Sequence, residues 1–373
     1  MDHAHLIYKT IKIMIHIDYT FWIVCVGSTT LGLCSGLLSP FAILRKQSLL
    51  GDALAHATLP GLCFAFLLQF SKSSLLFFIG AVFSAFIAAY FIHSISLYSR
   101  LKPDASMGLV LSVFFGFGLL LLTLIQKMPY SSQSGLTTFL FGSAASLLLT
   151  DIYLMSAVCL FITLCIYLFF KELSCSSFDR LYSASTGMAI KKLDLLFLFL
   201  LVINIVIGLQ TVGVILMSAL LIAPGATARQ WTSRMSLMIL LSVLFSCLSC
   251  ILGVVISSSY AHIPTGPSIV LFLSFFAFIS ILLAPKRGII SAWFKQKKQQ
   301  KLVSKNWILQ RLMLLSKNHS DPYYAHHLDS FTLFGKRPTK KALLALHKEG
   351  LVLNPSKNCW GLSKKGFAKL SKS

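Results

Sequence analysis

Residues 48–66 read SLLGDALAHATLPGLCFAF, an apolar run interrupted by an aspartate, a histidine and a proline. Asp52 and His56 are four residues apart, about 40° around an α-helix, so they share a face one turn apart. A carboxylate oxygen and an imidazole nitrogen at that spacing can hold one divalent transition ion from a single helix. The same spacing allows two plainer roles: a buried Asp–His couple, or Asp52 as the N-cap of a helix that starts at Ala53. Pro60 has no N–H, which leaves the His56 carbonyl without its helical partner and predicts a break there. Cys63 falls on the same face but about 10 Å farther along the axis, too far to share the ion.

The elements that hold this pair are set by composition. The chain has 373 residues, of which 56% are apolar and 12% charged, and its mean hydropathy is +0.79. These values exclude an ordinary soluble domain and indicate a membrane protein. A bilayer core needs about 20 apolar residues per helix. Candidate spans are 21–43, 45–70, 74–98, 106–126, 152–170, 193–210, 211–228, 236–258 and 267–285. The run 136–149 (LTTFLFGSAASLLL) is too short to span and is expected to be a half-helix or re-entrant piece. The expected fold is an all-α polytopic membrane protein of about nine transmembrane helices (8–10) with a small C-terminal α/β domain. Asp52 then lies roughly 10 Å into the second span, where an ionisable group is costly and usually lines a cavity or an ion path.

The formal net charge of +22 is unevenly placed. Lys286 to Ser373 carries 19 Lys and Arg against 3 Asp and Glu, so this tail holds most of the excess. Within the body, Arg45/Lys46, Arg100/Lys102, Lys171 to Lys192 and Arg229/Arg234 alternate as cytoplasmic segments, which places the C-terminus inside. An odd number of spans puts the N-terminus outside, with residues 1–20 as a surface segment carrying Lys9 and Lys12. No cleavable signal peptide is expected from this start. Nine cysteines lie mostly in apolar runs. Cys247 and Cys250 read C-x-x-C inside LLSVLFSCLSCILG and, like Met107, are expected to be packing residues. A phosphate-binding G-x-x-x-x-G-K-[ST] loop is absent from the sequence, so nucleotide hydrolysis is not expected of this chain.

Two further features bear on mechanism. Pro224, next to Gly225, cannot bond Leu220 and predicts a bent or broken helix, while Pro264, Gly266 and Pro267 mark a helix entrance. In CSSFDRLYSASTGMAIKK (175–192), Ser177 or Asp179 can N-cap a short helix that Gly187 ends near Ala189. Unaided, this segment reads as a solvated amphipathic loop.

SLLGDALAHATLPG resembles a signature of the membrane subunits of the bacterial ABC-type zinc/manganese/iron permease family. FLFGSAASL (139–147), TVGVILMSALLIAPGATARQW (211–231) and IPTGPSIVLF (263–272) resemble three further motifs of that family in the same order. The resemblance covers roughly residues 20–285. It implies a permease that moves a divalent metal (Mn, Zn or Fe) as cargo, with no permanently bound cofactor. It also implies a second permease subunit, a cytoplasmic ABC ATPase and an extracytoplasmic metal-binding protein as partners. Asp52 and His56 match the acid and histidine proposed to line the family's metal path. Pro60, Pro224 and Gly225 are the expected helix breaks or gates. Phe178, Asp179, Ala184 and Gly187 match the segment that docks on the ATPase, although Tyr182-Ser183-Ala184 shifts the alanine. The competing class is a secondary proton-coupled metal transporter, in which Asp52 and His56 relay protons.

After Pro285 the composition changes. KRGIISAWFKQKKQQKLVSK (286–305) reads as a basic linker over 286–304 suited to an anionic membrane surface. Residues 305–316 are helical in pattern, and 339–372 read as helix (339–348), strand, a turn at Asn354–Asn358, strand and helix. This order resembles the winged-helix fold of bacterial regulators, including metal-responsive repressors of the diphtheria-toxin-repressor type. Lys340, Lys341, His347 and Lys348 then fall on the recognition helix and Lys357 in the wing, where phosphate contacts to DNA are one reading. Binding to a protein or to the membrane surface is equally open, as is a membrane-tethered regulator working through this tail. His319, His326 and His327 lack the spacing of a metal site.

Overall fold

The computed structural model describes residues 19–47, 49–69, 74–127, 142, 147–260, 263–285, 288–316, 325–327, 336–356 and 359–371. The chain separates into two units, Met1–Gly288 and Ile289–Ser373. In the first unit the described helices are α1 (Tyr19–Leu44), α2 (Leu50–Gln69), α3 (Ser74–Tyr98), α4 (Pro103–Gln126), α5 (Leu149–Leu168), α6 (Phe170–Phe178), α7 (Arg180–Ser185), α8 (Ile190–Val212), α9 (Val214–Trp231), α10 (Met235–Ser259) and α11 (Thr265–Leu283). Eight of them are long and apolar enough to cross a membrane; α9, with Pro224 and Arg229 inside it, is the ninth long helix of this unit. The half-helix expected at 136–149 and the segment 1–18 lie outside the described residues, apart from Gly142 and 147–149.

Small residues set how closely the helices cross. In the α1–α10 contact Gly32 lies against Ser246 and Cys250, and Gly36 against Ser242 and Val243. A Cβ on Gly36 would come within 2.7 Å of Val243 Cα. Between membrane-spanning helices the lipid supplies no hydrophobic drive, so close packing of this kind holds the bundle. The tightest crossing joins α2 to α3. A Cβ on Gly61 would lie 2.0 Å from the Gly80 carbonyl oxygen, and one on Gly80 would lie 2.6 Å from Gly61 O. Ser84 Oγ crosses the same contact to donate to Ala57 O at 2.7 Å. Gly61→Ala is therefore expected to cost about 1–3 kcal/mol through overpacking, read as a lower Tm of the detergent-purified chain, whereas Gly108→Ala, at an open position, leaves Tm unchanged.

Neither proline breaks its helix: α2 runs on through Pro60 and α9 through Pro224. At Pro224 a neighbouring side chain compensates, because Ser39 Oγ accepts the Gly225 N–H at 2.8 Å and donates to Ile222 O at 3.2 Å. Outside partners of this kind are how membrane helices tolerate proline. Pro264 is the N-cap residue of α11, as expected of a helix entrance.

The second unit contains α12 (Ile289–Ser316), β1 (His326–His327), α13 (Lys336–Lys348), β2 (Val352–Ser356), β3 (Cys359–Leu362) and α14 (Lys364–Ser371). The stretch read as a linker is helical from Ile289 and continuous with 305–316. Three antiparallel strands form a sheet in the order β1-β3-β2, with His326 opposite Trp360. Ile308, Leu309, Leu312, Leu343, Leu346, Val352, Trp360 and Leu362 form its small core. Helix α13 begins three residues earlier than its pattern suggested. It ends at Gly350, whose φ of +70° and the bond Leu351 N–H to Leu346 O make the left-handed cap that favours glycine.

Candidate functional site

Helix α2 is packed by α3, α4, α8 and α9, which leave one stripe of it open. Asp52 and His56 stand on that stripe, with side chains 39% and 21% exposed, and Phe64 and Leu68 continue it. His56 Nε2 lies 3.5 Å from Asp52 Oδ1. The imidazole meets the Phe115 ring of α4 edge-on, with centroids 4.7 Å apart, which limits its rotation. Both polar heads are therefore partly exposed on the same helical face. Among the described residues no group of three or more His, Cys, Asp or Glu is placed to hold a metal ion. Within the described residues the pair thus offers two donors, short of the four or more that zinc or manganese takes. Cys63 is fully buried and turned inward, with its thiol 3.8 Å from Gly118 O.

Two of the sequence motifs meet in space. A Cβ on Gly142, at φ +73°, would lie 2.4 Å from the Gly213 nitrogen, so the glycine of FLFGS sits against the glycine that joins α8 to α9. Gly225 faces α1 at Ser39 and Ile43.

The segment 175–192 is built as a compact turn of helix. Asp179, not Ser177, is its cap: Asp179 Oδ1 accepts the Tyr182 N–H at 3.0 Å. Gly187 ends the turn at φ +79°. Phe178 (59% exposed), Leu181 (85%) and Tyr182 (59%) project from it, and Ala184 is also exposed. Loss of the cap in Asp179→Ala is expected to weaken α7 by about 1 kcal/mol, measured as faster hydrogen exchange at the Tyr182 and Ser183 amides.

Sequence reasoning missed the group that anchors this turn. Arg45 had marked only the cytoplasmic end of a span, yet its guanidinium donates to Asp194 Oδ1 at 2.9 Å, Ser176 Oγ at 3.0 Å and Ser177 Oγ at 3.1 Å. Arg180 pairs with Asp194 Oδ2. Burial pulls the Arg45 pKa below the ordinary arginine value, and the adjacent Asp194 carboxylate opposes that pull. The available signal was an acid, Asp194, at the entrance of an apolar helix.

In the second unit Lys340 and Lys348 are exposed on α13, Lys341 lies on the same helix, and Lys357 and His319 lie outside the described residues. His347 is turned toward the hairpin: its Nδ1 is 2.8 Å from Val352 O and its ring is edge-on to Trp360. His326 is buried in β1, while His327 is exposed.

Residues 17–284 match the model of the ABC 3 transport family. The chain belongs to that family. Among ABC 3 relatives it is 42% identical, over 75% of its length and 94% of the relative's, to a protein described as "Zinc transport system membrane protein TroC" of Treponema pallidum (strain Nichols). It is 36% identical to "Manganese transport system membrane protein MntC" of Bacillus subtilis (strain 168), over 94% of this chain and 80% of the relative. An alignment of that length, 350 residues, extends past the ABC 3 match into Ile289–Ser373. Among solved structures it is similar to "PsaBC from Streptococcus pneumoniae in complex with Fab", with a TM-score of 0.67 and 32% identity over 77% of this chain and 99% of that one. The ABC 3 match covers the Asp52/His56 pair, the 175–192 turn and both prolines.

Proposed function

We propose that this chain is the membrane-spanning permease subunit of an ABC importer for a divalent transition metal, zinc or manganese, in the cytoplasmic membrane. The observation that carries the reading is the partly exposed Asp52/His56 pair on α2 of an ABC 3 chain. The zinc and manganese systems in the names of the relatives support the cargo. Oxygen and nitrogen donors suit both ions, and Fe²⁺ as well. Two donors per chain form half a site, completed by a second permease subunit on the same face. Few ligands also favour release, which a transport path needs.

In this reading nine helices cross the membrane, α9 included, and the C-terminus is cytoplasmic, following the Lys and Arg distribution. Phe178, Leu181 and Tyr182, with the turn held by Asp179 and Gly187 and flanked by Ala184, dock on a separate ATPase subunit. An extracytoplasmic metal-binding protein delivers the ion. Pro60, Pro224 and Gly225 are points where ladder hydrogen bonds are already loosened, so the path opens and closes there at low cost. Residues 305–373 form a winged-helix-like module whose Lys340, Lys341, Lys348 and Lys357 suit an acidic partner, with nucleic acid as one such partner.

The test is metal uptake into proteoliposomes holding the permease with its ATPase. Accumulation of Zn²⁺ or Mn²⁺ is expected to require ATP and the ATPase. Accumulation that persists without the ATPase and follows a proton gradient sinks the proposal in favour of a proton-coupled carrier.

A further inference from the structure

Arg45 follows directly on α1, and its planar fork ties together four pieces of chain. Its donors reach Ser176 and Ser177 at the end of α6 and Asp194 in the first turns of α8. Asp194 uses its second oxygen to hold Arg180, the first residue of α7. The guanidinium carbon lies 4.4 Å from the centroid of the Phe197 ring. The Arg45 and Asp194 side chains are 8% and 12% exposed, so water competes little for the bonds between them, whereas Arg180 is 61% exposed and reaches Asp194 from the surface. A guanidinium engaged at all three nitrogens fixes direction as well as charge, which a lysine cannot do.

The other side of Arg45 leads to the metal pair. Only residues 46–49 separate it from α2, whose first turns carry Asp52. That connection is a hydrogen-bonded turn: Lys46 N–H donates to Ile43 O, Gln47 N–H to Ala42 O and Leu50 N–H to Gln47 O. Lys46 adopts φ +57°, a conformation that residues with a Cβ seldom take, so the reversal is tight. A displacement of α7 would reach the start of α2 through the Arg180 guanidinium, the Asp194 carboxylate, the Arg45 guanidinium and one short turn. Coupling over such a distance needs a contiguous physical chain of this kind.

We propose that Arg45 and Asp194, with Arg180, form the joint that transmits movement of the α7 turn to the first turns of α2. They are positioning residues for transport and do not touch the ion. The inference rests on the reading of α7 as the ATPase-docking turn.

The experiment uses the full permease–ATPase complex in proteoliposomes and reads Mn²⁺ accumulated per ATP hydrolysed. Arg45→Gln and Asp194→Asn are each expected to lower that ratio at least tenfold, with ATP hydrolysis within about twofold of wild type. Arg45→Lys keeps the charge without the fork and is expected to fall at least threefold. If a single variant yields little folded complex, Arg45→Gln/Asp194→Asn and Ser176→Ala/Ser177→Ala supply the ratio, since neither leaves the buried pair half-made. An unchanged ratio in assembled variants, including a proportional fall of uptake and hydrolysis, overturns the joint. Binding of the ATPase is measured in parallel with Leu181→Asp. Binding that ignores Leu181→Asp rejects the docking role of α7, whereas binding that needs Leu181 beside an unchanged ratio rejects the joint alone.

Discussion

Replacing Asp52 or His56 with alanine is expected to lower ATP-driven metal accumulation at least tenfold while the complex still assembles. In the proposed site each chain presents two donors, and removing one would leave a single contact per chain on the divalent ion. Loss of even an outer partner of a metal ligand typically costs about 10–100-fold, so loss of a donor should cost no less. The alternative role, a structural Asp–His couple, predicts a different outcome. The pair spans 3.5 Å and is partly exposed on a helix surface. Such pairs contribute less than about 1 kcal/mol, too little for α2 to depend on. Uptake should therefore collapse with Tm nearly unchanged. Parallel loss of uptake and Tm would instead favour the structural couple.

Leu181→Asp is the second large expected effect. Leu181 is 85% exposed and stands with Tyr182 on a six-residue helix, next to exposed Phe178 at the end of α6. An exposed apolar cluster on a capped turn suits an interaction surface, and a carboxylate in its centre would have to be buried unpaired in the proposed docking. Recovery of the ATPase with the affinity-purified permease is expected to fall at least tenfold. Because Leu181 touches little of its own chain, the Tm of the permease alone should be unchanged. Equal recovery of the ATPase would remove α7 from the interface.

The parts legible in the sequence were those governed by local rules. Apolar length located the long helices, and a spacing of four residues placed Asp52 and His56 on one face. The turn at 175–192 was readable as a capped helix ended by Gly187, although the choice between Ser177 and Asp179 was not. Ser177 is engaged by Arg45 and by the Leu173 carbonyl, which leaves Asp179 as the cap. Contacts between distant residues were invisible. Arg45 and Asp194 are 149 positions apart, and in a single sequence nothing distinguishes a buried arginine from one that marks a membrane boundary. The continuity of α2 and α9 through proline was hidden for a related reason. At Pro224 it depends on Ser39, a residue of another helix. In the tail, β1 has two residues and no pattern of its own, and exists as a strand through its pairing with Cys359 and Trp360. Helix α12 extends through a Lys- and Gln-rich stretch that looked like a linker, because those residues are good helix formers whose periodicity carries no apolar stripe.

The account stands on the ion passing between Asp52 and His56, and metal-edge X-ray absorption of the assembled transporter loaded with Zn²⁺ tests this directly. The expected spectrum has oxygen and nitrogen donors at about 2.0–2.2 Å, with the outer-shell scattering of imidazole, and that imidazole signal disappears in His56→Ala. An unchanged imidazole signal in the folded His56→Ala complex would contradict it.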